Sequence, residues 1–179
     1  VEVQYFHHKE LEEKLEIEKY FDATTMSVHL KEGCTPKAKR GQPGEWQLHS
    51  LSEKELSQSE VQKFAKEIVE RSRIEKNAFI EISRPGSTIV QYKDYRIVIS
   101  KTPVSDGWEI TAVKPIKVLK LEDYNLPEKI SQRVKSQARG VVIAGTTGSG
   151  KSTFCQSLGE YYAANNFVTK TVESPRSLI

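Results

Sequence analysis

Gly145-Thr-Thr-Gly-Ser-Gly-Lys-Ser-Thr153 sets the architecture that its neighbours in the chain have to adopt. It fits the pattern G-x-x-x-x-G-K-[ST], with Lys151 and Ser152 in the last two positions. An apolar run at residues 140–144 precedes it, and a helical pattern at residues 152–164 follows it. A glycine-rich turn between a strand and a helix is the context in which this pattern binds phosphate. The segment therefore predicts a phosphate-binding loop, the alternative being a glycine-rich turn that binds nothing.

The residue types of this loop match the chemistry of a nucleoside triphosphate. Its glycines let the backbone N–H groups approach anionic oxygens, and the following helix adds the positive end of its dipole. Lys151 is expected to reach the β- and γ-phosphates, Ser152 to coordinate Mg²⁺, and Thr153 to approach the α-phosphate. We therefore predict ATP and Mg²⁺ as cofactors. The predicted binding residues are Gly145, Thr146, Thr147, Gly148, Ser149, Gly150, Lys151, Ser152 and Thr153.

Composition narrows the class of protein without identifying a partner. The chain has 179 residues, of which 37% are hydrophobic and 28% charged, so it can form a core. No apolar run approaches the roughly 18 residues of a membrane helix, and residues 1–4 show no signal-peptide pattern. We therefore expect a cytoplasmic protein without membrane insertion. Cys34 and Cys155 are too far apart to suggest a disulfide framework, and Cys155 is expected to pack. A net charge of +3 leaves the partner open.

A helix is predicted from Ser57 to about Arg73. Ser57-Gln-Ser-Glu60 is a capping box, in which each end satisfies a free backbone N–H of the other. The apolar residues that follow have helical spacing, which predicts one face packed on a sheet. That stripe comprises Val61, Phe64, Ala65, Ile68 and Val69.

Alternating runs and turn residues predict an antiparallel sheet around this helix. Residues 78–83, 87–92, 95–101 and 108–113 form a meander, in which Pro85-Gly86 supplies a type II turn. Further strands are predicted at residues 1–6, at 24–31 and around 46–51. We therefore predict an α+β N-terminal domain, mainly an antiparallel sheet with a helix, over residues 1–115.

The sequence leaves the secondary structure of one segment of this domain and the role of another undecided. Residues 11–21 fit neither the helical nor the strand period. Residues 33–44 are rich in glycine and proline and predict a mobile loop that carries Lys37, Lys39 and Arg40. This basic cluster is either a solvated loop or a contact with phosphate or a neighbouring subunit.

The second domain is expected to be incomplete. Residues 116–126 predict an extended linker, and Pro127 opens a helix with Ile130, Val134 and Ala138 on one side. Residues 167–173 predict a second strand, but no later apolar strand ends in an acid for the magnesium. We interpret residues 127–179 as the first part of a truncated α/β P-loop (RecA-like) domain, with apolar faces either poorly ordered or sheltered.

Several motifs together resemble a particular family of motor ATPases. The phosphate loop followed by Thr171-Val-Glu-Ser-Pro-Arg176 is similar to the hexameric ATPases of type II secretion and type IV pili. Residues 21–33, 105–113, 122–128 and 173–176 look more specifically like archaeal ATPases that carry PIN and KH-type domains around this core. The resemblance covers nearly the whole chain. It implies a homo-hexameric, helicase- or translocase-like ATPase that acts on DNA or RNA through domains absent here.

The resemblance also implies roles for residues outside the loop. Glu173 matches the acidic position that organises magnesium or attacking water, although Ser174 stands where many secretion ATPases have Asp. Arg96 matches the arginine that such proteins send toward nucleotide, often across a subunit boundary, and Lys114 stands where a second arginine is commoner. The simpler interpretations are a strand-end carboxylate for Glu173 and an exposed strand residue for Arg96.

Two other functions remain open. One is a secretion or pilus motor that drives protein assembly, which salt-sensitive nucleic-acid binding would separate from a DNA or RNA motor. The other is a nucleotide-binding and subunit-contact module without turnover, which is the interpretation we favour for the present chain by itself. Under either motor function, Lys151 and Glu173 are the expected catalytic residues, together with Arg96.

Overall fold

The computed structural model describes residues 14–42, 45–114, 119–136, 140–146 and 149–173. Within these ranges, seven strands form one antiparallel sheet, and the α+β class is confirmed. The strand predicted at residues 1–6 lies outside the described residues. The strands are β1 (Thr25–Lys31), β2 (Lys37–Gln42), β3 (Glu45–Ser50), β4 (Ala78–Arg84), β5 (Ser87–Tyr92), β6 (Tyr95–Ser100) and β7 (Glu109–Val113). The helices are α1 (Gln58–Ser72), α2 (Glu128–Ser136), α3 (Lys151–Ala164) and two 3₁₀ helices at Glu16–Tyr20 and Leu121–Tyr124.

The sheet has the strand order β3-β2-β1-β7-β6-β5-β4, with every neighbouring pair antiparallel. Strands β4 to β7 form the predicted meander, which is confirmed. β1 lies beside β7 in the middle of the sheet, with Ser27 opposite Val113. The Lys114 N–H extends this ladder by donating to the Met26 carbonyl at 3.1 Å. The chain therefore enters β1 and leaves β7 at the same end of the sheet.

The hairpin between β4 and β5 turns on Gly86, as its sequence predicts. Gly86 has φ +80°, which lies in the left-handed region that favours glycine. A Cβ added there would lie 2.8 Å from Pro103 Cδ and 2.9 Å from the Lys101 carbonyl oxygen. Both conformation and close packing therefore require glycine at this turn.

One face of the sheet is covered by α1, and the main core lies between them. The capping box is confirmed, since the Glu60 N–H donates to Ser57 Oγ and the Ser57 N–H donates to Glu60 Oε2 at 2.8 Å. The apolar stripe of α1 is buried as predicted, Val69 only in part. Most of the remaining core side chains come from alternate positions of the strands. They include Val28, Leu30, Ala38, Val90, Tyr92, Ile97, Ile99, Ile110 and Ala112.

The segment whose period the sequence leaves open forms the 3₁₀ helix Glu16–Tyr20. Leu15 and Ile17 insert into the core beside α1, with exposed fractions of 1% and 0%. The Glu16 N–H donates to the Glu67 carboxylate of α1 at 3.0 Å. A 3₁₀ helix of five residues is too short to show a helical period in the sequence, so the sequence pattern does not predict it.

The prediction of a loop over residues 33–44 is wrong between Lys37 and Gln42. These residues form β2, which pairs with β1 on one side and with β3 on the other. Ala38 is fully buried, while Gly41 adopts φ +131°. A Cβ at Gly41 would lie 2.3 Å from the Glu45 carbonyl oxygen. The glycine thus marks an irregular strand with a close backbone approach, and strand pairing outweighs the local turn composition.

A second, smaller cluster lies after residue 118. α2 begins at Glu128, directly after the Pro127 that was predicted to open it, and buries Val134. Ile130 is 49% exposed, so that part of the predicted stripe is wrong, and Ala138 lies outside the described residues. Within the predicted extended linker, Leu121–Tyr124 is instead a 3₁₀ helix. The buried members of the cluster are Leu121, Val134 and Leu158.

The strands predicted at residues 140–144 and 167–173 are not formed. Val142, Val168 and Val172 have exposed fractions of 94%, 90% and 101%, so they are not sheltered by the described residues. Parallel strands are stable when both faces of their sheet are covered, whereas α2 and α3 pack in a small cluster with the 3₁₀ helix Leu121–Tyr124. The α/β character of the second domain is therefore absent from the described residues.

Cys34 and Cys155 are both free and exposed, so the predicted packing role of Cys155 is wrong. In the ranges that the structure describes, no helix combines the length and apolar content needed to span a bilayer.

Candidate nucleotide-binding loop

The phosphate-loop segment joins α3 at Gly150. Gly150 is the N-cap of α3 and has φ +88°, so no side chain caps the helix at this position. Backbone N–H groups in the first turn of a helix have no partner within the helix and attract anions. The helix predicted after the loop is thus confirmed, and it begins at Lys151. The strand predicted before the loop is not formed.

The Lys151 ammonium group folds back on the loop itself. Its Nζ donates to the Gly145 carbonyl at 3.0 Å and to the Thr146 carbonyl at 2.7 Å. A further bond from the Ser149 N–H to the Thr146 carbonyl tightens the turn. A Cβ on Gly145 would meet Ser149 Oγ at 2.6 Å, so the small residue suits the close turn. The arrangement holds a cation at the helix N-terminus, where anionic oxygens would be attracted.

Packing against the 3₁₀ helix Leu121–Tyr124 fixes the direction of α3. The Tyr124 and Phe154 rings meet edge to face, with centroids 4.8 Å apart. Ser157 Oγ donates to the Leu119 carbonyl, and Tyr162 OH donates to the Val134 carbonyl of α2. Sequence reasoning did not identify these contacts, since nothing in the local pattern shows which carbonyl a hydroxyl will reach.

The other residues predicted to bind nucleotide differ in how exposed they are. Thr146, Ser149 and Ser152 are exposed, and Thr153 is half-buried in the first turn of α3. Thr147 and Gly148 lie outside the described residues. Ser152 is an exposed hydroxyl at a helix N-terminus, which suits a Mg²⁺ ion that takes its other ligands from phosphate and water. The described residues contain no group of three His, Cys, Asp or Glu side chains that could hold a metal by themselves.

Arg96 lies on the face of the sheet opposite α1. Its Nη2 is 3.8 Å from Glu81 Oε2, and its side chain is 24% exposed. The Nε and Nη2 atoms are buried without a hydrogen-bond partner among the described residues. Register places Arg96 opposite Gln91 of β5 and Val113 of β7. In the structure, Arg96 therefore lies beside Glu81, and no hydrogen bond joins it to the described residues of the predicted phosphate loop.

Glu173 and Lys114 lie in different surroundings. Glu173 is half-buried at the end of the irregular segment after α3. Lys114 follows β7, with its Nζ 5.0 Å from the centroid of the Tyr95 ring.

Clear pKa shifts with a structural cause occur in the sheet. Hydrogen bonds from Thr24 and Thr25, together with Arg40, lower the pKa of Asp22 to about 2. Burial lowers the pKa of His29, and the nearby charge of Lys39 adds to that effect while Glu109 opposes it. The surroundings in the folded chain therefore favour the ionised form of Asp22 and the neutral form of His29.

Two curated archaeal proteins resemble this chain over most of its length. The "Holliday junction branch migration ATPase PINA" of Sulfolobus acidocaldarius is 52% identical over 165 residues, which are 92% of this chain and 32% of that protein. An uncharacterised KH and PIN-domain containing protein of Methanocaldococcus jannaschii is 43% identical over 178 residues, which are 99% of this chain and 28% of that protein. The chain thus spans about a third of the length of the curated relatives it matches.

Comparison with family models finds no match. Among solved structures, the pilus retraction motor PilT with bound ADP is 18% identical, with a TM-score of 0.48. That similarity covers 82% of this chain and 41% of PilT.

Proposed function

We propose that this chain forms the nucleotide-binding part of an ATPase motor that acts on DNA. The observation that carries the proposal is the position of Lys151 at the N-terminus of α3, where it donates to two carbonyls of the glycine-rich loop. A relative with 52% identity is named a branch migration ATPase, which supports a motor that moves DNA strands at a junction. The remainder of the motor, including its PIN and KH-type domains, is expected from the archaeal relatives.

ATP binding in this proposal exchanges one set of partners of Lys151 for another. The ammonium leaves the carbonyls of Gly145 and Thr146 and pairs with the β- and γ-phosphates, whose charge is stronger. Backbone N–H groups of the loop and of the first turn of α3 hold the remaining oxygens. Ser152 would coordinate Mg²⁺, which neutralises phosphate charge when it is bound.

Hydrolysis requires groups beyond the loop. Glu173 is proposed to orient the attacking water or the metal shell, and Arg96 to reach the nucleotide of a neighbouring subunit in a homo-hexameric ring. Arg96 would first have to exchange its contact with Glu81 for the nucleotide. We therefore expect the 179-residue chain by itself to bind ATP without robust turnover.

Calorimetry of ATP binding, with and without Mg²⁺, tests this function. Lys151→Ala should weaken binding on the order of a hundredfold, because each charge-assisted hydrogen bond is worth about 1.5–3 kcal/mol. Lys170→Ala, which removes an exposed lysine beyond α3, is the matched control and should bind as the unmodified chain does. Equal affinity of Lys151→Ala and the unmodified chain would show that the loop does not bind phosphate.

A phosphate-release assay on the same samples tests the catalytic part. Binding without release is the expected result. Robust release that Glu173→Gln abolishes would show that the chain supplies its own catalytic acid, and would overturn the requirement for further residues.

A further inference from the structure

The hairpin of β2 and β3, here called the basic hairpin (residues 37–42 and 45–50), exposes two large apolar side chains, Trp46 and Leu48. Every residue of the edge strand β3 is exposed. Trp46 and Leu48 lie on one face of it, with exposed fractions of 46% and 53%. Exposed apolar side chains that adjoin each other commonly mark a contact surface. The open edge strand thus presents an aromatic ring that the fold itself leaves in solvent.

Two lysines without a carboxylate partner among the described residues lie on β2, beside the strand that carries this ring. Lys37 and Lys39 form no salt bridge with any described residue, and Lys39 Nζ lies 3.7 Å from the centroid of the Trp46 ring. Arg40 differs, since it pairs with Asp22 at 3.1 Å and donates to Thr25 Oγ1 at 3.3 Å. Arg40 therefore fixes the hairpin to β1, while the two lysines remain available.

The strand register places the lysines and Trp46 on the same side of the sheet. Lys39 pairs with Leu48, and Gly41 pairs with Trp46 two positions further along, so their side chains share a face. Ala38, between the two lysines, points to the core under α1 and is fully buried. The face that carries Lys37, Lys39, Trp46 and Leu48 is thus the one that α1 does not cover.

We infer that this face of the basic hairpin binds single-stranded nucleic acid, with a base stacked on Trp46 and phosphates on Lys37 and Lys39. The inference rests on the proposed function, because branch migration separates and re-pairs strands. Lys39 covers one side of the ring, which leaves the other side for a base.

Charge favours a polyanion over a second copy of the chain. Residues 37–50 contain three lysine or arginine residues and one carboxylate, Glu45. A two-fold contact between this face and the same face of a second copy would bring Lys37 and Lys39 of both copies together, and like charges at an interface are unfavourable. A strand of phosphates instead neutralises both lysines.

The test uses the 179-residue chain and an oligothymidylate of about 20 nucleotides, long enough to span such a site. Trp46 and Trp108 are the two tryptophans, so in Trp108→Phe the tryptophan emission comes from Trp46 alone. We expect the oligonucleotide to quench this emission, and Trp46→Ala to weaken binding on the order of tenfold in an anisotropy titration. The double variant Lys37→Ala/Lys39→Ala should also flatten the slope of log affinity against log salt by about 1.4.

Matched controls lie elsewhere on the same molecule. Phe79→Ala removes an exposed aromatic from the opposite edge strand, and Lys63→Ala removes an exposed lysine from α1. Both should bind the oligonucleotide as the unmodified chain does. Equal affinity of the lysine double variant and the unmodified chain overturns the inference, as does a loss of self-association without a change in oligonucleotide binding.

ATP calorimetry on the same proteins separates this inference from the proposed function. ATP binding without quenching of Trp46 overturns the nucleic-acid surface alone. Quenching by the oligonucleotide in a chain that does not bind ATP overturns the proposed ATPase and leaves the surface in place.

Discussion

The sheet region (residues 14–114) and the loop region (residues 119–173) differ in how far they bury their apolar residues. In the sheet region, Val90 of β5 and Ile97 of β6 are paired neighbours, and both are fully buried in the core between the sheet and α1. In the loop region, Val142 is almost fully exposed although it lies in an equally apolar run, and Val172 is fully exposed. A glycine-rich turn and a helix start can form from local residues, whereas a strand is stable only beside another strand and under a covering layer. The loop region therefore forms its turn and helix start without the sheet that the sequence predicts around them.

The cohesion of the loop region comes from a few contacts around α3. Three apolar side chains are buried among the described residues of this region, and hydroxyl groups of Ser157 and Tyr162 bond to carbonyls of neighbouring segments. The sheet region instead has a continuous core that joins most strands to α1. The two regions should accordingly differ in stability, and each can be changed separately.

The largest expected effect comes from truncating matched apolar residues in both regions. Ile97→Ala should lower the free energy of unfolding of the sheet region by about 2–5 kcal/mol, because it leaves a cavity in a closed core. Val172→Ala should change stability by less than about 0.5 kcal/mol, because that side chain contacts mainly solvent. Urea denaturation followed by circular dichroism measures both. Comparable losses would contradict the contrast and show that residues 167–173 are covered in solution.

A smaller effect is expected from the cluster that holds α3. Leu158→Ala should cost about 2 kcal/mol at that site, because Leu158 packs with Leu121 and Val134. Hydrogen exchange should speed up in α3 while the amides of β6 stay protected, and ATP affinity should fall. Leu158→Met conserves volume and serves as the control. Equal acceleration of exchange in β6 would show that the two regions unfold as one unit.

The smallest effect concerns pH and the sheet region alone. Burial lowers the pKa of His29 below 6.5, and its ring bonds to Ser27 Oγ at 2.8 Å and to Thr111 Oγ1 at 3.2 Å. Below pH 6.5 the unfolded chain therefore binds a proton that folded His29 resists. Stability contributed by the neutral ring is present above pH 6.5 and is lost as the pH falls through the folded pKa.

Urea unfolding midpoints measured between about pH 7.5 and about pH 5 give the slope of stability against pH, because this interval spans the ordinary His pKa of about 6.5. His29→Gln should flatten the slope, because it removes the buried ring that resists protonation. An unchanged slope in His29→Gln would assign the pH dependence to other groups.

Local signals in the sequence predicted local structure well. The Ser57–Glu60 capping box, the α1 stripe and the Gly86 turn depend on residues within a few positions of each other, and the structure confirms all three. The phosphate loop follows the same rule, since Gly150 and Lys151 form the expected helix start.

Pairing between distant segments was the part that sequence patterns did not predict. Residues 37–42 have the glycine content of a loop, yet β1 and β3 on either side hold them as a strand. Residues 140–144 have the apolar content of a strand, yet no described strand pairs with them. Likewise, the contact of Arg96 with Glu81 crosses from β6 to β4, a distance that no local motif specifies.

The adjacency of the first and last strands of the sheet has a mechanical consequence. Met26 and Lys114 are joined by a hydrogen bond at the end where the chain enters β1 and leaves β7. A force that pulls these two points apart acts across the ladder rather than along it. It would load the bonds of the β1–β7 pair one after another, beginning with that of Lys114, so the centre of the sheet opens like a zipper from this end. The resistance of the sheet region to tension between its two connections is therefore set by single hydrogen bonds rather than by the whole ladder.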